Sequence, residues 1–396
     1  MAPAPRRIVI VGASLAGLRA AQTLREEGYD GDVTLLGAEG HLPYDRPPLS
    51  KEYLGGDMSL EEVYLPLGAA ADADFRLSTK AVRLDLERCV VVLDSGDEVS
   101  YDGVVVATGS HPRTLPGLAD LDGVFVLRTI EDGRALRERL SGARKLSVVG
   151  AGFIGSEVAA TSHQLGLDVT VLEALPVPME RGVGAMMGRR CARLHTDQGV
   201  DLRLGTGVAG LRGDRRVESV VMADGTEVQS DVVVIGVGVA PTTDWLADSG
   251  LDLANGVRCD SRCRALAGGR PVPGVVAAGD VARWENPFFG EFMRLEHWTN
   301  AAEQGQAAAL TLLQGQDAPV FEPIPYFWSD QYQTKIQMVG RTGPDVAVVD
   351  GALDDDRFVV VYGSAGRLVG ALSFNWPARL MAWRNKIAQR EPFPAP

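Results

Sequence analysis

The sequence predicts an α/β protein with two Rossmann-like dinucleotide-binding domains. A glycine-rich turn joins a strand pattern to a helix pattern at residues 7–17, and the same arrangement occurs again at residues 145–155. Residues 96–112 also match residues 225–241 without a gap. We interpret these observations as an internal repeat, because two unrelated segments would not share both a phosphate-binding turn and a strand-turn-strand ending.

Composition limits the classes of function. The 396 residues suggest two to three domains, and no apolar run approaches the length of a membrane span. The net charge of −13 argues against nucleic acid as a partner, since phosphate binding needs a basic surface. Residues 1–5 lack the features of a signal peptide, so we predict a cytoplasmic protein without a membrane partner.

The four cysteines are too few for a disulfide framework. Only Cys259 and Cys263 are close in sequence, and they are either buried thiols or a redox or metal pair. We favour buried thiols and predict no metal site.

The first glycine turn, R-I-V-I-V-G-A-S-L-A-G, predicts a site for a pyrophosphate. A helix beginning near Leu15 presents unpaired backbone N–H groups and the positive end of its dipole. Gly12 allows the tight turn and Gly17 allows close packing, whereas Ser14 replaces the middle glycine of G-x-G-x-x-G. The alternative is an ordinary glycine turn between a strand and a helix.

Two further features follow the first helix. Strand Asp32–Leu36 is followed by Glu39, twenty-two positions after Gly17, which is near the spacing of a carboxylate that accepts hydrogen bonds from a ribose. A solvated loop glutamate is the alternative. The proline-rich segment 41–54 carries Arg46 and Lys51, which a rigid backbone would hold at fixed positions facing a cofactor. A surface loop is again the alternative.

The second turn, K-L-S-V-V-G-A-G-F-I-G, is a complete G-x-G-x-x-G. Glu173 closes the next strand, residues 168–172, and would accept from a ribose 2′-hydroxyl but repel a 2′-phosphate, which favours NAD over NADP. Arg181 lies too far along the chain for a 2′-phosphate ligand. The candidate NAD-binding residues are Gly150, Gly152, Phe153, Ile154, Gly155, Glu157, Glu173, Arg181 and Gly238.

The remaining chain carries less distinct patterns. Residues 274–280 predict a buried strand that ends in Gly279 and Asp280. Residues 294–305 predict the beginning of a helix whose alanines would permit close packing against another element. A linker near residues 314–325 precedes alternating strands that continue to Phe374. The tail that follows contains proline and arginine.

The motifs P-Y-D-R-P-P-L-S-K, A-T-G, G-A-G-F-I-G-S-E, A-A-G-D, E-H-W-T-N-A and F-W-S-D-Q resemble the NADH-dependent ferredoxin reductases of multicomponent oxygenase systems. That family belongs to the FAD-dependent pyridine nucleotide-disulfide oxidoreductases and serves Rieske dioxygenases and cytochrome P-450 monooxygenases. The resemblance implies a glutathione reductase-like fold with a C-terminal α+β interface domain. It implies an FAD domain at residues 1–115 and 247–320, an NAD domain at 116–246 and an interface domain at 321–396.

The resemblance also implies individual site residues. In the family, the acidic residue that contacts the ribose often occupies the position of Ala38. Here the acidic residue is Glu39, one position later. Asp280 would hold the ribitol and Trp328 would lie beside the flavin, with core packing as the alternative for Trp298 and Trp328. The candidate FAD-binding residues are Gly12, Ser14, Leu15, Ala16, Gly17, Glu39, Arg46, Lys51, Val82, Ala107, Thr108, Gly109, Arg128, Gly279, Asp280, Glu296, His297, Trp298 and Trp328.

The implied reaction passes electrons from NADH through FAD to a ferredoxin. NADH gives two electrons as hydride and an iron–sulfur ferredoxin accepts one at a time, while flavin does both. Lys51 is the candidate for the positive charge beside the reduced flavin, and the resemblance pairs it with Glu157. An exposed glutamate on the first helical turn is the alternative for Glu157. No cysteine precedes Cys89, which excludes a flavin-adjacent disulfide of the kind found in dithiol reductases.

A transient complex with an acidic ferredoxin would need a local basic face on this acidic chain. Scattered solvated cations are the alternative, and we expect a monomer or a homodimer. Competing functions are a rubredoxin reductase, an NADH oxidase or a non-catalytic NADH-binding redox sensor. The candidates for the basic face are Arg283, Arg294, Lys335, Arg341, Arg379, Arg384 and Lys386.

Overall fold

A computed structural model describes residues 5–115 and 121–394. Within these ranges the α-helices are α1 (Leu15–Glu26), α2 (Glu52–Gly55), α3 (Ile130–Leu140), α4 (Phe153–Gln164), α5 (Glu180–Thr196), α6 (Trp298–Gln314) and α7 (Pro377–Ala388).

The strands of the described chain are short, as expected for a protein rich in tight turns. In chain order they are β1 (Arg7–Val11), β2 (Asp32–Leu36), β3 (Asp74–Arg76), β4 (Ala81–Asp85), β5 (Val90–Leu93), β6 (Glu98–Ser100), β7 (Gly103–Val106), β8 (Ser110–Pro112), β9 (Val124–Phe125), β10 (Lys145–Val149), β11 (Asp168–Glu173), β12 (Asp201–Leu204), β13 (Val208–Arg212), β14 (Ser219–Met222), β15 (Glu227–Gln229), β16 (Val232–Ile235), β17 (Val239–Pro241), β18 (Val257–Cys259), β19 (Arg264–Ala267), β20 (Arg270–Ala277), β21 (Ala282–Asn286), β22 (Glu291–Met293), β23 (Tyr326–Gln331), β24 (Thr334–Gly340), β25 (Asp345–Asp350), β26 (Phe358–Ser364) and β27 (Arg367–Phe374).

The first of two compact units contains the described residues up to Asp45, together with Tyr64–His111 and Ala240–Pro325. Its nine-stranded sheet has the order β22-β21-β18-β19-β20-β7-β1-β2-β3. Strand β1 lies between β2 and β7 and is parallel to both, so that its Ile10 pairs with Leu35 and Val105. The apolar residues of β1 are buried on both faces, as expected for a parallel strand covered by helices.

Helices α1 and α6 of this unit pack very closely. A Cβ atom at Gly305 would overlap the backbone carbonyl of Ala16, so only glycine fits at this crossing. The small side chains in segment 294–305 predicted that this helix packs closely against another element. A separate three-stranded antiparallel sheet of this unit has the order β4-β5-β6.

The second unit contains Arg46–Val63, the described residues from Pro112 to Val239 and the described residues from Tyr326 onward. Its parallel sheet has the order β12-β11-β10-β16-β9, and β13-β14-β15 form a three-stranded antiparallel sheet. A five-stranded antiparallel sheet, β23-β24-β27-β26-β25, carries α7 beside it. Phe358 and Phe374 on this five-stranded antiparallel sheet stack in the core, with ring centroids 4.7 Å apart.

The internal repeat is visible in the topology. The order β3-β2-β1-β7 of the first unit corresponds to β12-β11-β10-β16 of the second, with the strand before the glycine turn in the same place. Strands β6, β7 and β8 occupy the same places in residues 96–112 as β15, β16 and β17 in residues 225–241. The predicted α/β fold class with two nucleotide-binding sheets is therefore confirmed.

The tail contains a helix that the sequence did not predict. Helix α7 begins at Pro377, a residue whose fixed φ suits the first helical position. Its Arg379 and Trp383 side chains both donate hydrogen bonds to the Asp350 carboxylate. Among the described residues, none of the helices has the length and apolar character needed to cross a bilayer. The three predicted domain boundaries stay a prediction.

Candidate functional site

The first glycine turn requires glycine at two positions. Gly12 has a φ of +118°, and a Cβ atom there would overlap the carbonyl oxygen of Ala107 at the end of β7. A Cβ atom at Gly17 would overlap the carbonyl oxygen of Gly12. These contacts hold the turn against the strand end and the helix against the turn, which is the packing that the motif requires.

The second glycine turn repeats these contacts and adds one open position. Gly150 has a φ of +100°, and Cβ atoms at Gly150 and Gly155 would overlap the carbonyl oxygens of Gly236 and Gly150 respectively. At Gly152, by contrast, the nearest atom to an added Cβ is the Gly236 oxygen, 3.9 Å away. The protein itself does not require glycine here, so the space fits a pyrophosphate that approaches the backbone.

Helices α1 and α4 both begin without a side-chain cap. Within the described structure, neither Ser14 at the start of α1 nor Gly152 at the start of α4 caps its helix with a side chain. Helix α3 differs, since Thr129 and Asp132 form a complete capping box. The N–H groups of α1 and α4 are therefore available to an anion, and the helix dipole favours a negative charge there.

The acidic residue of the second motif contacts its own turn. One carboxylate oxygen of Glu173 accepts from the backbone N–H of Ala151 at 2.7 Å, and the other accepts from Leu175 at 2.9 Å. These bonds place the carboxylate beside the second glycine turn. Carboxylate oxygens accept more than one hydrogen bond each, so Glu173 retains acceptor capacity, and its contact with a ribose stays a prediction.

The other NAD candidates are spread along the second unit. Arg181 is exposed in the first turn of α5, and Ile154 is 44% exposed. Phe153 makes an edge contact with Phe327, with ring centroids 4.8 Å apart. Gly238 has a φ of +96°, and its carbonyl oxygen accepts from the backbone N–H of Arg113.

Two acidic FAD candidates are held by hydroxyl groups within the first unit. Buried Asp280 accepts from the hydroxyl of Ser110 at 2.7 Å, and Glu39 accepts a short hydrogen bond from Tyr44. The adjacent Gly279 N–H donates to the side chain of Gln304 at 2.9 Å. The contacts of Asp280 and Gly279 fix the segment that follows β20, where the sequence predicted a cofactor-binding carboxylate.

Further FAD candidates of the first unit lie in a loop and at the start of a helix. The Thr108 hydroxyl donates to the Thr242 carbonyl at 2.8 Å, close to Ala107 and Gly109. The Trp298 indole N–H donates to Asp45 at 2.7 Å. Desolvation lowers the pKa of His297 to about 4, although nearby Asp280 opposes the shift.

Three candidates have more ordinary surroundings. Val82 is 42% exposed on β4, and Glu296 forms an ion pair with Arg294 at 2.9 Å. Arg46, in the second unit, donates to the carbonyl oxygen of Arg128 at 2.6 Å. Lys51 and Trp328 also belong to the second unit. The role of this residue set in binding FAD stays a prediction.

Lys51 and Glu157 form a buried ion pair. Lys51 follows a 3₁₀ helix over Pro47–Ser50, and Glu157 lies on α4. The Lys51 Nζ atom is 3.2 Å from Glu157 Oε2, and the two side chains are 11% and 4% exposed. Glu157 is therefore not an exposed residue of a first helical turn, which was the alternative to its pairing with Lys51.

Two serines complete the surroundings of Glu157, and the sequence analysis did not identify them. Ser50 donates to Glu157 Oε2 at 2.6 Å, and Ser329 donates to Glu157 Oε1 at 2.7 Å. The Thr161 hydroxyl donates to the carbonyl oxygen of Ser50 at 2.8 Å. Both serines lie inside motifs of the resemblance, but an isolated serine carries no local signal of this contact.

All four cysteines are free thiols. Cys89 is exposed, whereas Cys191, Cys259 and Cys263 are buried. Burial raises the pKa of Cys191 to about 12 and raises those of Cys259 and Cys263 as well. The described residues contain no group of His, Cys, Asp or Glu that would hold a metal ion.

The family model for pyridine nucleotide-disulphide oxidoreductases matches residues 6–305, and a reductase C-terminal model matches residues 326–396. The chain belongs to the pyridine nucleotide-disulphide oxidoreductases. It is 38% identical to rhodocoxin reductase of Rhodococcus erythropolis, over 97% of this chain and 90% of that protein. It is 37% identical to the ferredoxin–NAD(+) reductase component of the anthranilate 1,2-dioxygenase system of Burkholderia cepacia, over 96% and 93%.

Among solved structures, the chain resembles putidaredoxin reductase in its covalent complex with putidaredoxin. The TM-score is 0.92 at 32% identity, and the match covers 98% of this chain and 94% of that one. The predicted oxidoreductase of the ferredoxin reductase type, with FAD and NADH as cofactors, is confirmed by this membership and these relatives. The roles of individual site residues stay predictions.

Proposed function

We propose that this oxidoreductase transfers electrons from NADH through FAD to a one-electron iron–sulfur ferredoxin. The observation that carries the proposal is the pair of glycine turns in one chain of this family. In each turn an added Cβ atom would overlap the backbone, and the helix that follows has no side-chain cap. Each turn suits one pyrophosphate, so the chain can bind two dinucleotides. Its relatives are named as reductases of ferredoxins in oxygenase systems.

The first turn would hold the pyrophosphate of FAD, with Asp280 and Glu39 as acceptors for the hydroxyl groups of the cofactor. The second turn would hold NADH, whose adenosine ribose would reach Glu173. FAD, when bound, accepts two electrons as hydride and releases them singly. The described cysteines form no disulfide that would relay electrons, so the electrons leave the cofactor directly.

Lys51 would supply a fixed positive charge in this site. Its ammonium group is largely excluded from water and is held by the Glu157 carboxylate. A charge that is already oriented and desolvated stabilises a developing negative charge without reorganisation. We therefore assign Lys51 the role of stabilising the reduced cofactor, and we assign Glu157 the role of holding Lys51 in place.

The ferredoxin partner would be guided by local positive charge. At least four of the candidate cations are paired with acidic residues. Arg294 pairs with Glu296, Lys335 lies 2.9 Å from Asp330, Arg379 pairs with Asp350 and Lys386 lies near Glu391. These pairs weaken the local field, so we expect only a moderate dependence of the association rate on salt. We further propose a cytoplasmic location, as a monomer or a homodimer.

The test is an anaerobic assay of the purified holoprotein. NADH should reduce the bound flavin, and an oxidised [2Fe–2S] ferredoxin added next should be reduced in turn. Rubredoxin and oxygen serve as competing acceptors in parallel reactions. Faster transfer to rubredoxin or to oxygen would replace the ferredoxin proposal, and NADH binding without turnover would favour the redox sensor.

A further inference from the structure

We propose that Ser329 is a positioning residue, which orients Glu157 and through it Lys51. The inference rests on the proposed role of Lys51 in the reaction. The Ser329 hydroxyl donates to Glu157 Oε1 at 2.7 Å, and both residues are almost completely buried, at 0% and 3% exposure. A buried carboxylate depends on its hydrogen-bond donors for both its charge and its orientation.

The donors are divided unequally between the two carboxylate oxygens. Oε2 accepts from Ser50 and from Lys51, whereas Ser329 is the sole donor to Oε1 among the described residues. Loss of the Ser329 hydroxyl would leave Oε1 buried without a partner, which is unfavourable. The carboxylate would then rotate or take up water, and the geometry toward Lys51 would change. Loss of the Ser50 hydroxyl should matter less, because Lys51 remains on Oε2.

The strand that carries Ser329 is held in register. Side chains alternate along β23, so Phe327, Ser329 and Gln331 share one face. The ring of Phe327 contacts Phe153 on α4, and the Gln331 amide donates to the Ser329 hydroxyl at 3.3 Å. The antiparallel partner strand β24 pairs along the whole of β23. Ser329 is thus fixed by both of its neighbours on its own face, as a positioning role requires.

The same sheet offers a matched control. Ser373 lies on β27 and is also 0% exposed, but within the described structure its hydroxyl has no hydrogen-bond partner. Replacement of Ser373 by Ala removes the same atom from the same sheet without breaking a hydrogen bond. Any effect that is particular to Ser329→Ala therefore reports on the Glu157 contact, and not on the loss of a buried hydroxyl in general.

The first readout is the rate constant of flavin reduction by NADH in the holoprotein. We expect Ser329→Ala to lower it about tenfold, with FAD content and the dissociation constant of NADH unchanged. The rate constant of Ser373→Ala should stay within about twofold of the wild-type value. That of Ser50→Ala should lie between the values for Ser329→Ala and Ser373→Ala. Ser329→Thr retains a hydroxyl and should recover most of the wild-type rate.

The second readout does not depend on activity. The acetylation rate of the Lys51 amine by acetic anhydride is measured in the FAD-free protein by mass spectrometry. We expect labelling of Lys51 to rise severalfold in Ser329→Ala and not in Ser373→Ala, because a displaced carboxylate no longer shields the ammonium group. Equal labelling and equal reduction rates in the two variants would overturn the inference.

The variant Lys51→Met separates this inference from the proposed function. If Lys51→Met slows flavin reduction while Ser329→Ala behaves like Ser373→Ala, Lys51 keeps its role and the inference about Ser329 is wrong. If Lys51→Met reduces at the wild-type rate, the role proposed for Lys51 is wrong. The labelling experiment then still decides whether Ser329 orients Glu157 against Lys51.

Discussion

Replacement of Lys51 by Met removes the cation from the buried ion pair but preserves much of the side-chain volume. Glu157, at 4% side-chain exposure, would then carry a charge without its counter-ion. Removal of one partner of a buried pair typically costs about 3–5 kcal/mol of unfolding free energy. Because Ser50 and Ser329 still donate to the carboxylate, we expect a loss at or slightly below the lower limit of that range, about 2–3 kcal/mol.

A double-mutant cycle isolates the pair from the effects of the single changes. Glu157→Gln in combination with Lys51→Met leaves two neutral side chains, so the double variant should be more stable than the sum of the single losses predicts, by about 1–2 kcal/mol. The free energies are measured by urea denaturation of the holoprotein at a fixed excess of FAD, since bound cofactor adds to the apparent stability. Losses below about 0.5 kcal/mol in Lys51→Met, or simple additivity, would refute the argument.

Two further predictions concern the second nucleotide turn and a buried histidine. Gly152→Ala should leave the unfolding free energy within about 1 kcal/mol of the wild type but raise the KM for NADH at least about tenfold, because its Cβ atom occupies space open to the pyrophosphate. Gly155→Ala should instead destabilise the fold, as its Cβ atom overlaps the Gly150 carbonyl; equal behaviour of the two variants in denaturation and kinetics would contradict this. Burial lowers the pKa of His195 to about 4, from about 6.5 in the unfolded chain, so its contribution to stability is complete above pH 6.5 and is lost as the pH falls toward 4. Between pH 6.5 and pH 5 the wild type should therefore lose about 1.5 kcal/mol more than His195→Gln in urea denaturation, and parallel pH profiles would disprove the assignment.

The features that could be predicted from the sequence are those that the backbone determines locally. Gly12 and Gly150 need positive φ and a close approach to the next strand, so glycine marks both turns in the sequence itself. The match of residues 96–112 with residues 225–241 is seen in the structure as two corresponding sets of strands, β6–β8 and β15–β17. The spacing of buried residues is retained because it determines the register of strand pairing.

The features that could not be predicted depend on distant parts of the chain. Glu157 and Ser329 lie on different elements far apart in sequence, and nothing next to either one indicates the other. Helix α7 was not predicted because a terminal segment with prolines and charges resembles an irregular segment. Pro377, at the first position of the helix, is nevertheless a helix-start signal. For Glu173 the position was evident from spacing, but its hydrogen bonds to Ala151 and Leu175 required the folded turn.

Electron transfer from NADH through FAD to a ferredoxin is tested most directly by a stopped-flow experiment without oxygen, in which the purified protein is mixed first with NADH and then with an oxidised [2Fe–2S] ferredoxin. We predict a protein that carries FAD, loses its flavin absorption with one equivalent of NADH and then reduces two equivalents of the ferredoxin. A protein without flavin that cannot be reconstituted, or a flavin that NADH does not reduce, would contradict it.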